Sequence, residues 1–242
     1  MNILLFGNGK WGKILKNNLL NSYKVIKVFD SKSDIDDFDY SNIDWAVIAT
    51  NNLSHFKISN FLIKKKINIF CEKPLTLSYI QSKKLINLAN KNGCKLFVNH
   101  IYNFKKLDFK FSLKNTIKRS KISFKSTENI IYDLFYHDLY LILPSLDDNN
   151  YQFMNIKESF GKLNFQIKSK NKYYNFEYDT KKKSRHIINK VNLIDKINYI
   201  PIVFDKVFKN DIDLKGNNIQ ALKCNKIIEN FFGVLQNHNR YL

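Results

Sequence analysis

The chain has 242 residues, of which 44% are hydrophobic, so it can bury a core as one large or two modest globular domains. Lys, Asn or Asp interrupts every apolar run well before the ~20 residues that cross a bilayer, which predicts no membrane span. The first predicted strand begins at once and leaves no room for a signal peptide, which predicts a cytoplasmic protein.

The formal net charge of +19 favours an anionic partner at first sight, with nucleic acid as the obvious candidate. Nearly all of the positive charge is lysine, however, because arginine occurs only at Arg119, Arg185 and Arg240. Arginine is preferred for bidentate phosphate and base contacts, and stacking on single strands needs interleaved aromatic residues. Neither arrangement occurs, so the charge predicts a lysine-rich surface and no nucleic-acid partner.

The three cysteines, Cys71, Cys94 and Cys224, are odd in number and show no C-x-x-C spacing. This pattern fits neither a disulfide framework nor a zinc site. They are predicted to be reduced, buried thiols, and no metal site is predicted.

The first hundred residues alternate short apolar runs with helical patterns, which is typical of parallel strands joined by crossover helices. Strands are predicted at residues 3–6, 25–29, 45–49, 68–71 and 95–99. Helices are predicted at residues 10–21, 54–65 and 78–92, the last one closed by Gly93, with a loop at 31–40. Residues 1–101 are therefore predicted to form a doubly wound parallel sheet of the Rossmann type.

The second half changes character, because apolar and polar residues alternate as in antiparallel strands with one wet face. Strands are predicted at residues 121–125, 155–159, 163–169 and 173–179. Helices are predicted at residues 104–118, 130–143 and 218–236. Residues 102–242 are therefore predicted to form a smaller α+β domain with a mostly antiparallel open sheet.

A G-x-G-x-x-G motif stands directly after the first strand and directly before the first helix. The first Gly permits a tight turn, the second allows backbone to approach a pyrophosphate, and the third allows close helix packing. The amides at the start of the helix would then hold the phosphates. The predicted dinucleotide contacts here are Gly7, Asn8, Gly9, Lys10, Trp11 and Gly12.

Asp30 ends the second strand, eighteen residues past Gly12. A carboxylate at this place accepts hydrogen bonds from a ribose diol, which favours NAD over NADP. Lys32 nearby could tolerate a 2′-phosphate, so NADP stays open.

Glu72 and Lys73 follow another strand end, at the edge where doubly wound sheets bind ligands. Pro74 restricts the backbone of Lys73, and an X-Pro bond can be cis. Lys73 could thus be held towards a nicotinamide. A surface lysine before a helix-starting proline explains the same residues equally well.

Asp133 and His137 stand four apart on a predicted helix, so their side chains share one face. Removing hydride from a carbinol requires a base for the hydroxyl proton, and imidazole suits that work. Asp133 would orient or charge-stabilise the imidazole, while Asp138 should point elsewhere. A helix-stabilising pair is the alternative interpretation.

The glycine motif, Asp30, the segment 49–55, Glu72-Lys73-Pro74 and the Asp133/His137 pair occur in the order seen in the Gfo/Idh/MocA oxidoreductases, which the chain resembles. The resemblance implies that Lys73 is the catalytic lysine and that Asp133 and His137 complete the substrate site. It also places Thr50, Asn51, His55 and Glu72 near the cofactor. It further implies NAD or NADP, a sugar, cyclitol or related polyol as substrate, and a homo-oligomer formed through the open sheet.

The chain departs from the family in three ways. The family usually has a proline in the loop after the third strand, where this chain has Asn51 or Asn52. Glycines commonly precede the family's Asp-x-x-x-His, and family chains are commonly longer. A hydride-transferring dehydrogenase or reductase remains the leading hypothesis, and a catalytically silent dinucleotide-binding sensor or scaffold is the alternative.

Overall fold

The computed structural model describes residues 1–105, 107, 110–122, 126–147 and 149–239. The chain divides into two compact units. The first unit is built from Met1–Phe104 and Asn198–Asn225, and the second from Lys105–Ile197 and Lys226–Leu242.

The first unit contains a sheet of five parallel strands in the order β2-β1-β3-β4-β5. The strands are β1 (Asn2–Phe6), β2 (Lys24–Phe29), β3 (Trp45–Ile48), β4 (Asn68–Glu72) and β5 (Leu96–Asn99). The crossover helices are α1 (Lys10–Leu20), α2 (His55–Lys64) and α3 (Tyr79–Asn92). The predicted doubly wound sheet is confirmed. Its strand order reverses between β1 and β3, which is where such sheets bind ligands.

Both faces of this sheet are covered, which explains why its strands are continuous apolar runs. On one face, side chains of α2 and α3 form a core with alternate strand residues such as Leu4 and Ile69. On the other face, α1 forms a second core with the intervening residues, such as Ile3 and Phe70. All three cysteines are buried free thiols, as predicted.

A later segment of the chain completes the first unit. Residues 198–225 return to it, which corrects the predicted domain boundary that placed all of 102–242 in the second domain. The segment contains α6 (Ile200–Phe208), a helix that the sequence patterns did not predict. Its buried residues Val203 and Phe204 join the core beneath α1. Apolar burial therefore draws this segment back to the parallel sheet.

The long helix α7 (Leu214–Asn239) also begins in the first unit, and it includes the predicted helix 218–236. The side chain of Asn217 accepts a hydrogen bond from the Val98 N–H and donates one to the Val98 carbonyl, both at 2.9 Å. These two bonds satisfy backbone groups on β5, the edge strand of the sheet. Among the described helices, α7 included, none is long and apolar enough to cross a membrane.

The second unit contains a mixed sheet of six strands in the order β11-β10-β6-β9-β8-β7. The strands are β6 (Lys114–Ser120), β7 (Tyr151–Ser159), β8 (Lys162–Ser169), β9 (Lys172–Asp179), β10 (Arg185–Ile188) and β11 (Val191–Asn192). The β6–β9 pair is parallel and the other pairs are antiparallel, so the predicted mostly antiparallel sheet is confirmed.

The predicted helix at residues 104–118 is wrong. Residues 101–104 form one 3-10 turn, and Lys114–Ser120 is strand β6. Within β6, Asn115 and Ile117 are buried while Lys114 and Lys118 are exposed, so a period of two decides the conformation. The predicted strand 121–125 begins after β6 has ended, and its residues 123–125 lie outside the described residues.

The predicted helix at residues 130–143 is confirmed, with an irregularity. It consists of α4 (Thr127–Ile130), a π turn (Ile131–Phe135) and α5 (Tyr136–Ile142). The ring of Phe135 contacts that of Phe165 on β8, with centroids 4.9 Å apart, so this helical segment covers one face of the mixed sheet.

Candidate functional site

The glycine turn joins β1 to α1 and is crowded at two of its three glycines. Gly7 has a φ of +111°, and a Cβ there would lie 2.3 Å from the carbonyl oxygen of Ala49. A Cβ on Gly12 would lie 2.0 Å from the carbonyl oxygen of Gly7. Both distances are far below van der Waals contact, so backbone packing alone requires glycine at both positions.

Gly9 differs from its two neighbours in the motif, because a Cβ on it would meet nothing within 4 Å. Gly9 is the N-cap of α1, and no side-chain hydrogen bond from the described residues caps the helix there. Open space beside helix amides that no described side chain caps is what a pyrophosphate needs. The geometry of the turn therefore fits a dinucleotide.

Asp30 lies exposed directly after β2, at the same edge of the sheet. Its Oδ1 accepts hydrogen bonds from the Lys32 N–H at 3.0 Å and from the Ser33 hydroxyl at 2.9 Å. The bond from the Lys32 amide, with help from Ser33, lowers the pKa of Asp30. The carboxylate therefore stays ionised, and its Oδ2 takes part in neither bond.

The loop after β3 is held by its own side chains. The Ser54 N–H donates to Asn51 Oδ1 at 3.1 Å. The Ser54 hydroxyl lies 2.7 Å from Thr50 Oγ1 and 2.8 Å from the Asn51 carbonyl oxygen. These bonds restrain the loop in which the family usually has a proline. Ser54 thus stabilises the loop and, contrary to the N-cap pattern, makes no side-chain cap on α2.

His55 is fully buried beneath this loop. Its Nδ1 lies 2.8 Å from the carbonyl oxygen of Pro74, and its Nε2 lies 3.3 Å from that of Thr50. Burial lowers the pKa of His55, so the ring is neutral and can donate from one nitrogen only. The imidazole therefore lies between the loop after β3 and the turn after β4 and donates to a carbonyl oxygen of one of them.

Glu72 and Lys73 lie where β4 ends. Glu72 Oε1 accepts a hydrogen bond from Asn99 Nδ2 at 2.8 Å, across a register that pairs these two residues. Burial raises the pKa of Glu72. Hydrogen bonds from Trp11 and Asn99 and the positive charge of Lys73 lower it by a smaller amount. The peptide bond between Lys73 and Pro74 is cis.

Asn99 and His100 were not singled out from the sequence. His100 is buried, and burial together with the charge of Lys73 holds the pKa of its imidazole well below the usual range. Asn99 is the last residue of β5 and His100 follows it, next to the strand end that carries Lys73. Polar residues at the carboxyl end of a predicted strand were the available signal.

The second unit contains the other predicted pair. Asp133 lies in the π turn, where the Tyr136 N–H donates to the Ile131 carbonyl five residues back, and His137 lies in α5. Within residues 133–140, these two are the partly exposed positions, and the others are buried. Asp133 and His137 therefore share the accessible side of this segment.

Asp138 points the other way, as predicted, into a buried cluster. Its Oδ1 lies 2.7 Å from His186 Nε2 and 3.3 Å from Arg119 Nη1. Its Oδ2 accepts a hydrogen bond from the Tyr178 hydroxyl at 3.0 Å. Burial acts to raise the pKa of Asp138, but the charges of His186 and Arg119 and the hydrogen bonds lower it overall. No sequence pattern indicated these three partners.

A parallel sheet with an open glycine turn at its switch point defines a dinucleotide-binding domain. Residues 9–100 match the family model described as "Oxidoreductase family, NAD-binding Rossmann fold" (Gfo/Idh/MocA). Residues 9–100 are therefore similar to the NAD-binding domain of the Gfo/Idh/MocA oxidoreductases, which confirms the resemblance seen in the motifs.

Solved structures share the fold of nearly the whole chain. UDP-N-acetylglucosamine 3-dehydrogenase from Acidithiobacillus ferrooxidans has a TM-score of 0.77 and 13% identity, with 95% of this chain and 96% of that chain covered. The dehydrogenase MviM from Clostridium difficile has a TM-score of 0.75 and 14% identity, covering 97% and 99%. The WlbA dehydrogenase from Thermus thermophilus, in complex with NAD and α-ketoglutarate, has a TM-score of 0.73 and 11% identity, covering 94% of each.

One curated protein is similar in sequence over a shorter stretch. The 2,7-anhydro-N-acetylneuraminate hydratase of Mediterraneibacter gnavus is 26% identical over 76 residues, which cover 31% of this chain. The match spans only 20% of that protein's length. The match relates the two matched segments to each other, and the reaction has to be inferred from the residues of the site.

Proposed function

We propose that this protein is an NAD(P)-dependent oxidoreductase that transfers hydride between nicotinamide and a carbohydrate-like alcohol or ketone. The observation that carries the proposal is the glycine turn, where open space at Gly9 lies between backbone contacts at Gly7 and Gly12. The same edge of the sheet carries Lys73, a residue able to move a proton. Cofactor binding and proton transfer are the two requirements of alcohol oxidation.

The cofactor would lie along the carboxyl ends of the strands. The backbone from Gly7 to Gly12, including Asn8, Lys10 and Trp11, would hold the pyrophosphate. Thr50 and Asn51 would line the middle of the site. Glu72 and His55, whose polar atoms are engaged inside the unit, would hold the loops around the cofactor. The nicotinamide, when bound, supplies the hydride acceptor or donor.

NAD is the proposed cofactor in preference to NADP. Asp30 is ionised and exposed, and its Oδ2 takes part in neither of the two bonds that hold Oδ1. A ribose diol can donate to such a carboxylate, whereas a 2′-phosphate would be repelled by it.

Proton transfer would fall to Lys73, His137 and Asp133. Lys73 would polarise the carbinol oxygen or pass its proton, His137 would act as the acid/base partner, and Asp133 would orient the substrate or the imidazole. Both side chains of the second unit are partly accessible, as this requires.

The substrate class is proposed to be a sugar, cyclitol or related polyol. Similar folds include a dehydrogenase named for UDP-N-acetylglucosamine, and the matched curated relative is named for a sialic acid derivative. We also propose a homo-oligomer in the cytoplasm, where the three free thiols would stay reduced.

The test replaces Lys73 by Met, which keeps the length of the side chain and removes the ammonium. NADH affinity, measured by fluorescence titration, should be unchanged. Turnover of the best substrate from a panel of sugars and their keto forms should fall by on the order of 10²–10⁴. Lys84→Met, at an exposed position of α3, is the matched control.

Equal turnover in Lys73→Met and Lys84→Met would remove Lys73 from the mechanism. A wild-type protein that binds NADH and consumes it with no substrate of the panel would favour the silent sensor. A wild-type protein that binds neither dinucleotide would contradict the proposal altogether.

A further inference from the structure

Three neighbouring strands of the second unit direct one side chain each at the buried carboxylate of Asp138. Arg119 comes from β6, Tyr178 from β9 and His186 from β10, and these strands lie side by side in the order β10-β6-β9. Asp138 itself is fully buried, and the side chains of His186 and Arg119 are 4% and 15% exposed. A buried carboxylate with three polar partners is fixed in position by all of them.

The same cluster reaches the π turn. Arg119 Nη1, which lies 3.3 Å from Asp138 Oδ1, also donates a hydrogen bond to the carbonyl oxygen of Leu134 at 3.1 Å. Leu134 follows Asp133 within the turn, and His137 precedes Asp138 within α5. One guanidinium therefore holds both halves of the segment that carries Asp133 and His137.

Apolar packing alone would fix the position of the segment that carries Asp133 and His137 less strictly than the ionic cluster does. The buried residues around Asp138, which include Leu134, Phe135 and Leu139, are of similar size and can exchange places with modest loss. An ionic cluster tolerates no such exchange, because each donor must meet its acceptor within a few tenths of an ångström. The π turn makes this constraint more important, because a change from i→i+5 to i→i+4 hydrogen bonding would rotate Asp133 relative to His137.

We propose that Arg119, Tyr178 and His186, acting through Asp138, are positioning residues that set the relative placement of Asp133 and His137. This inference rests on the proposed function, in which those two residues handle protons. None of the four cluster residues need touch the substrate or the cofactor.

The first experiment replaces Asp138 by Asn, which keeps the shape and removes the charge. Turnover should fall roughly 10- to 100-fold, because small misplacements of reacting groups are that costly. NADH affinity should stay within about threefold, since the substituted residue belongs to the other unit. Ile167→Ala, at a fully buried apolar position of β8, is the matched control for loss of stability.

The second experiment measures the titration of His137 directly, by NMR of histidine-labelled protein without substrate. His137→Gln assigns its signal among the five histidines. Asp138→Asn should move both the chemical shift and the titration midpoint of His137, and Ile167→Ala should move neither. Asp133 and Asp138 are the acidic groups nearest to it in the segment.

A purely structural role would give a different result. Asp138→Asn would then lower the thermal midpoint of unfolding, as Ile167→Ala does. Turnover measured at temperatures well below that midpoint would be unchanged, and so would the titration of His137. That outcome would overturn the inference. So would a loss of NADH affinity as large as the loss of turnover.

A milder variant covers the case in which Asp138→Asn does not fold. Tyr178→Phe removes one hydroxyl donor, keeps the ring and leaves the charge of Asp138 in place, and it should move the chemical shift and the titration midpoint of His137 by a smaller amount through displacement of the segment. An unchanged titration in folded Tyr178→Phe would contradict the inference. The NMR measurement needs no substrate. It therefore tests whether the cluster positions His137 even if no substrate is ever turned over.

Discussion

The two units hold their proposed functional residues in place by different means. In the first unit, backbone approaches backbone at Gly7 and Gly12, and a parallel sheet buried on both faces fixes the strand ends. In the second unit, a mixed sheet supports a helical segment through side chains that converge on Asp138. The difference teaches that the first site depends on the absence of side chains, whereas the second depends on their charge.

The strongest challenge to this contrast is a pair of alanine substitutions in the glycine turn. Gly12→Ala should cost about 4 kcal/mol or more of unfolding free energy, because its Cβ would meet the Gly7 carbonyl oxygen at 2.0 Å. Gly9→Ala should cost only about 0.5 kcal/mol, since its Cβ meets nothing within 4 Å and the only loss is the preference for glycine over alanine at an N-cap, and it should weaken NADH binding. Urea unfolding and NADH titration measure the two effects. Equal stability of the two variants would contradict the packing argument.

The dependence of stability on acidic pH should reveal the negative charge of Asp138 in the second unit. The pKa of Asp138 is lowered in the folded protein, so its contribution to stability is complete above the unfolded pKa and is lost as the pH falls through the folded value. Between about pH 5 and pH 2 the unfolding free energy of the wild type should fall more steeply than that of Asp138→Asn, by at most about 1.4 kcal/mol per pH unit. Parallel curves from urea unfolding at each pH would refute a charged Asp138.

The smallest expected effect concerns the choice of cofactor. Asp30→Asn should raise the Kd for NAD about tenfold, equivalent to about 1.4 kcal/mol, and should affect NADP less because repulsion of its 2′-phosphate is relieved. Asp37→Asn, an exposed acid in the following loop, is the control. An equal change for both dinucleotides would show that Asp30 does not discriminate between them.

Much of the structure of the first unit can be predicted from its sequence. Each glycine of the motif has a local reason that is visible in the spacing, and the strands around it are apolar without interruption. The exception is α6, a nine-residue helix whose buried residues do follow the helical spacing, so it was missed although its period is present in the sequence: Ile200, Val203, Phe204, Val207 and Phe208. Its place beside the sheet depends on a surface formed a hundred residues earlier.

The second unit is harder to predict because its determinants are distant in sequence. Strand β6 contains few apolar residues, and its period of two is clear only once Asn115 and Ile117 are known to be buried. Asp138 and its partners Arg119, Tyr178 and His186 lie on four separate elements. No local pattern links them, so the cluster could be recognised only in three dimensions.

The return of residues 198–225 to the first unit has a consequence for synthesis on the ribosome. One apolar side of the parallel sheet stays incompletely covered until α6 has emerged, about a hundred residues after the last strand of the sheet has been translated. A fragment that stops at residue 104 would present that side to water and should self-associate, so a stand-alone cofactor-binding fragment must be supplied with residues 198–225 as well.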